Sequence, residues 1–202
     1  MAPDLDQTGL YCVRYNLQMQ YRNSVSGYGA VPLSLHWLTA GLVAMAWMLG
    51  TFDDVLPKGP ARAMGLYVHI LAGLTILIAL MMRLLWRAFD PPPPLEPSAL
   101  GAWLDRAGHF AHYALYALLI AAVISGVVLQ FARGNALPLF GLTEIPSPWL
   151  PNRAFSRNVK QVHELFANGL VILAGLHAAA ALLHHWILGD RTLLRMLPRT
   201  RR

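Results

Sequence analysis

Residues 162–185, "VHELFANGLVILAGLHAAAALLHH", make an apolar run long enough to cross a bilayer, yet they include His163, His177, His184 and His185. An imidazole placed in hydrocarbon is costly and marks a functional site by default. His163 and His177 are 14 residues apart, which in an α-helix is about 21 Å of rise and about 40° short of four full turns. The two therefore share one face at two depths. One compact metal site cannot use both, but two stacked sites can.

The rest of the chain supports a membrane setting. Of its 202 residues, 56% are hydrophobic and only 13% charged, and the mean hydropathy is +0.44; a soluble domain carries about 25% charged residues. Crossing about 30 Å of hydrocarbon takes about 20 apolar residues in a helix, and four such runs are present: Val31–Phe52, Leu66–Leu85, Phe110–Phe131 and Val162–Leu188. The segments between them, "DDVLPKGPAR", "FDPPPPLEPSALGAWLDR" and "RGNALPLFGLTEIPSPWLPNRAFSRN", are rich in residues that do not continue a helix. No internal repeat of fixed period is visible, and Pro91–Pro94 is a stiff spacer. The expected architecture is an all-α, integral membrane four-helix bundle, with a polar N-terminal segment at 1–30, the bundle at 31–188 and a basic tail at 189–202. The first apolar run is too long for a signal peptide and no small-residue cleavage site follows it. Residues 1–18 precede Met19 and are expected to be an upstream extension.

Charge sets the expected orientation. Four spans put both termini on one side, which holds Arg14, Arg22, Arg83, Arg87, Arg106, Arg191, Arg195, Arg199, Arg201 and Arg202. The other side holds Lys58, Arg62, Arg133, Arg153, Arg157 and Lys160. Ten cations against six favour cytoplasmic termini in a multi-pass membrane protein. Because these cations flank spans and form no soluble basic face, they do not indicate nucleic acid. The outer group can draw in small anions or meet lipid headgroups. Cys12 is the only cysteine, which excludes an intramolecular disulfide, a thiolate zinc site, an iron–sulfur cluster and a CxxCH haem attachment.

All eight histidines, His36, His69, His109, His112, His163, His177, His184 and His185, lie in or at the ends of the spans. His36 falls near the cytoplasmic start of the first span and His69 near the outer start of the second; His163 is at the outer level and His177 deeper. Antiparallel topology thus pairs His69 with His163 and His36 with His177. Two imidazoles facing across a bundle suit haem, whose iron takes two axial nitrogens. The residues four positions on, Ala40, Gly73, Ala167 and Ala181, are small enough to leave room beside a flat macrocycle.

The stretches "LHWL" (35–38), "RGN" (133–135), "FGL" (140–142), "HE" (163–164), "GLHAAAALLHH" (175–185) and "TLLRMLPR" (192–199) resemble the bacterial cytochrome b561 family of small four-helix di-haem inner-membrane proteins over about residues 20–202. The resemblance implies two b haems ligated by His36, His69, His163 and His177. It also implies a superoxide oxidase: electrons pass from superoxide at the periplasmic face, through the haems, to ubiquinone. Arg133, Arg157 and Lys160 are then candidates for attracting superoxide. His184, seven residues beyond His177 and so about 20° off its face, is the candidate proton donor to the quinone. His185 reads as interfacial. His109 and His112 read as packing beside Tyr113 and Tyr116, with a quinone site or the inner haem edge as the other reading; Arg83 and Arg87 read as interfacial anchors, with haem propionate pairing as the other. A different class of function also fits these features: a cytochrome b anchor subunit relaying electrons between quinone and a separate hydrogenase or dehydrogenase partner.

Overall fold

In the computed structural model, which describes residues 21–24, 27–94 and 101–197, four long helices account for most of the chain. They are α1 (Ala30–Thr51), α2 (Pro60–Phe89), α3 (Ala102–Ala132) and α4 (Arg153–Trp186). All four are long and apolar enough to cross a membrane. The expected extension at 1–18 and the last five residues of the expected tail lie outside the described residues.

Three of the helices exceed the apolar runs that mark them, because an apolar run reports hydrocarbon and a helix continues into the headgroup layer. At its start, α2 takes Pro60 in the first turn, where no intrahelical N–H partner is needed. It stops at Asp90, which leaves helical geometry at φ −136° and ψ 83° ahead of Pro91. The six residues from Arg153 to Asn158, read as connection from sequence, belong to the first turns of α4. Asn152 caps them, its side chain accepting from the Phe155 N–H at 3.0 Å.

The α3–α4 connection is also more ordered than a purely helical reading expects. Leu137–Leu139 (β1) pairs antiparallel with Thr143–Ile145 (β2) around a turn in which Phe140 and Gly141 both have positive φ. Gly134, at φ 75°, turns the chain out of α3 at a point where any Cβ would fall 2.5 Å from Pro151 Cγ. The "RGN" and "FGL" signatures thus each contain a glycine that the backbone requires.

The bundle is two hairpins. α1 lies along α2 and α3 along α4, with sparser approaches of α2 to α3 and of α1 to α4. Where all four meet, Ile76, Leu80, Leu119 and Leu170 are buried, and Leu42, Val43 and Leu115 pack on them. At the end bearing the termini, the flanking segments are fastened to this frame. Asn23 N–H donates to Asp90 Oδ2 at 2.8 Å, and Arg22 pairs with Asp90 at 3.7 Å. Trp37 Nε1 donates to the Met196 carbonyl at 2.8 Å, so the basic segment after α4 folds back onto α1.

Candidate functional site

The helices place their polar residues in layers seven positions apart. Near the loop end stand Gly50, His69, Gly126 and His163; midway stand Val43, Ile76, Leu119 and Leu170; toward the terminal end stand His36, Arg83, His112 and His177. Seven residues are about 10.5 Å of rise and about 20° short of two turns, so one face of each helix crosses all three layers. The apolar middle layer separates two polar ones. First helices carry H-x9-A-x3-G (His36, Ala46, Gly50; His112, Ala122, Gly126), and second helices carry a His followed 14 residues later by Arg83 or His177. The repeat escapes a fixed-period search because its offset is 76 residues in the first helices and 94 in the second.

In the loop-end layer the two imidazoles face each other, with ring centroids 6.0 Å apart and planes at 83°. Each is held from its hairpin partner. His69 Nδ1 is 2.7 Å from the Ala46 carbonyl, and His163 Nδ1 is 2.9 Å from the Ala122 carbonyl. A ring nitrogen facing a carbonyl is the one that carries the proton, so Nε2 of both rings is left as a ligand. A Cβ on Gly50 would lie 3.1 Å from the His69 ring, and one on Gly126 3.1 Å from the His163 ring. The close approach to each ring thus comes from a glycine of the adjacent helix. Gly73 does leave open space, since a Cβ there would meet nothing within 4 Å. Ser125 Oγ, 3.2 Å from His163 Nδ1, also lines a groove of about 550 Å³ between α3 and α4 with Phe155 and Asn158.

The terminal-end layer adds a contact that the sequence does not show. The ring on His177 is that of His112, centroids 5.1 Å apart at 66°, so His112 stands with His177 and not merely with the interfacial tyrosines. The His36 ring packs on Trp37, and His177, His112 and Arg83 are close enough to act on it electrostatically. Arg83 lies over the Tyr116 ring at 5.5 Å. One layer further, His184 Nδ1 meets Asp190 Oδ2 at 2.5 Å, and Asp190 Oδ1 accepts from the Thr192 N–H at 2.9 Å. Partial burial raises the Asp190 pKa, but the hydrogen bonds with His184 and Thr192 outweigh it and hold the carboxyl below its ordinary range. Sequence reasoning found His184 and missed Asp190, whose contact depends on the turn after α4.

Of the loop-end cations, Arg133, Arg153 and Arg157 are exposed, and Arg133 is close enough to His163 to act on it electrostatically. Lys160 pairs with Glu164 at 3.2 Å, so its charge is largely matched from a distance.

The prokaryotic cytochrome b561 family matches residues 27–199. The chain belongs to that family. It is 35% identical to the "Probable superoxide oxidase CybB" of Yersinia pestis over 86% of this chain and 97% of that protein. It is 34% identical to "Cytochrome b561 homolog 2" of Escherichia coli K12 over 89% and 95%, and 29% identical to the "Cytochrome b562" of Cereibacter sphaeroides over 85% and 95%. The cytochrome is thus a membrane electron-transfer protein, and its family implies haem b. The residues fit that group. No three His, Cys, Asp or Glu come together as a metal site among the described residues, but haem iron needs only two protein donors. The His69 and His163 rings, with centroids 6.0 Å apart and each Nδ1 on a backbone carbonyl, are the pair of nitrogen donors that would hold such an iron.

Proposed function

We propose that this cytochrome moves electrons from superoxide to ubiquinone through two b haems, with the loop end in the periplasm and the termini in the cytoplasm. The observation that carries the reading is the exposed Arg133, a cation with no ion-pair partner among the described residues and within electrostatic reach of His163 in the paired imidazole site. Haem, when bound, supplies one-electron chemistry between ferric and ferrous iron. His69 and His163 would hold one group; His36 and His177 the other, with His112 against His177. Near-complete coverage of the Yersinia relative supports the same reading.

The protein's own residues divide the work. Arg133 and Arg157 raise the local concentration of superoxide, and two superoxide anions leave as two dioxygen molecules after giving up one electron each. Ala46 and Ala122 carbonyls fix the orientation of the loop-end imidazoles. Val43, Ile76, Leu119 and Leu170 exclude water between the two levels. At the terminal end His184, oriented by Asp190, donates a proton to the quinone, which takes two electrons and two protons to become quinol.

Superoxide consumption by the purified cytochrome, followed with and without a soluble ubiquinone analogue, tests this. Quinone-dependent consumption that yields quinol supports the proposal. A haem-loaded protein that is inert to superoxide and purifies with a stoichiometric hydrophilic subunit would establish the anchor reading instead.

A further inference from the structure

The terminal-end layer breaks the symmetry of the two hairpins at one position. α4 carries His177 fourteen residues after His163, and α2 carries Arg83 fourteen residues after His69. Arg83 therefore faces the space between the hairpins, as its stacking on Tyr116 of α3 confirms. A guanidinium within a span needs a partner of opposite charge or a strong acceptor.

Among the described residues the surroundings supply more cations and no acid. Arg83 and Arg87 both act electrostatically on His112, and Arg83 acts on His36. Half-buried Tyr28, just ahead of α1, lies within electrostatic reach of Arg195, Arg87, Tyr116 and Arg83. Every titratable group acting on Tyr28, His36 or His112 is an arginine, histidine or tyrosine. The described carboxylates at this end are engaged elsewhere: Asp90 with Arg22, the Asn23 N–H and Trp86 Nε1, and Asp190 with His184. Arg195, from the turn Leu194–Met196, donates through Nη1 to the Pro94 carbonyl at 2.9 Å, yet its buried Nε has no partner among the described residues. An orphaned buried donor among converging guanidiniums indicates an acceptor that the described residues do not provide.

We propose that Arg83, Arg87 and Arg195, with the Tyr28 hydroxyl, form an oxyanion site at the terminal end of the gap between the hairpins. Its ligand is a carboxylate or phosphate whose oxygens take the fork of donors that guanidinium presents. Two molecules in a membrane cytochrome offer that chemistry: the propionate of a haem held by His177, which rests on the functional reading above, and the headgroup of an anionic phospholipid, which does not.

Redox titration of the purified holoprotein, with native mass spectrometry in phosphatidylglycerol and in phosphatidylcholine, separates the sources. Wild type is compared with Arg83→Gln, Arg195→Gln and the charge-retaining Arg83→Lys, and His177→Ala identifies which haem band belongs to the terminal layer. With propionate as ligand, Arg83→Gln and Arg195→Gln shift the potential of that band alone downward, because an unmatched carboxylate favours ferric iron, and Arg83→Lys recovers most of the shift. With a lipid as ligand, both potentials stay unchanged and the Gln variants lose the phosphatidylglycerol that wild type retains. Unchanged potentials together with unchanged lipid retention overturn the proposal. Should wild type hold no haem, the functional reading fails, and the oxyanion site stands or falls on lipid retention alone.

Discussion

His69 Nδ1 lies 2.7 Å from the carbonyl oxygen of Ala46, one helix away. The equivalent contact between His163 and Ala122 is 2.9 Å, so both hairpins fix an imidazole by the same device and leave Nε2 free. These contacts give each ring a defined tautomer.

Loss of either ring at one level should therefore empty that level alone. His69→Ala and His163→Ala are expected to remove one and the same haem band, and His177→Ala and His36→Ala the other, with His112→Ala retaining both. Low-temperature absorption spectra with pyridine haemochrome quantification check this. Retention of both bands in His163→Ala would refute the loop-end pair, and loss of a band in His112→Ala with retention in His36→Ala would make His112 the partner of His177.

Gly126 offers a test that leaves every ligand in place. A Cβ there would already be 3.1 Å from the His163 ring, and a valine would push the ring from the Ala122 carbonyl. Gly126→Val is expected to weaken haem retention at the loop-end level by about 10-fold or more, the usual effect of disturbing a group that orients a ligand. Gly41→Val, where a Cβ would meet nothing within 4 Å, should leave haem content unchanged. Dialysis against apomyoglobin measures both.

These contacts show why part of the site was legible in the sequence and part was not. Four spans and the His163–His177 spacing follow from helix period and hydrocarbon thickness, which are local properties of the chain. The facing of His69 and His163 follows from antiparallel topology. The seating of each ring is a property of two helices together, and neither the Ala46–Gly50 nor the Ala122–Gly126 spacing stands out in an apolar helix rich in both residues. His112 was read as interfacial because its tyrosine neighbours are visible in sequence while its His177 neighbour is not. Asp190 and the β1–β2 hairpin depend on turns, whose geometry no periodicity reports.

If anions are steered by the loop end, the charges should count unequally. Arg133→Gln with Arg157→Gln is expected to lower the rate constant for superoxide about 10-fold at low ionic strength and to flatten its salt dependence. Lys160→Gln should have a smaller effect, because Glu164 already sits 3.2 Å from the Lys160 ammonium. Equal effects of all three, or no loss of rate at low salt, would contradict steering by this surface.

The Asp190 carboxyl, held below its ordinary range mainly against the opposing effect of burial, predicts a pH dependence of known sign. A lowered folded-state pKa contributes stability that is fully present above the unfolded value of about 4 and is lost as pH falls through the folded value. Protection from hydrogen exchange in the last turns of α4, taken relative to the intrinsic rate at each pH, should fall on acidification across that window in wild type, and Asp190→Asn should abolish the window. A wild-type profile flat down to pH ~3 would show that the His184–Asp190 contact contributes nothing to the end of α4.

The central claim is an electron path from superoxide to quinone, and stopped-flow spectroscopy of the detergent-purified cytochrome tests it most directly. Haem bands are recorded after mixing with superoxide, with and without a ubiquinone analogue. The account predicts rapid haem reduction by superoxide, followed by reoxidation only when the quinone is present. Haem that is present but stays oxidised on mixing with superoxide would contradict it.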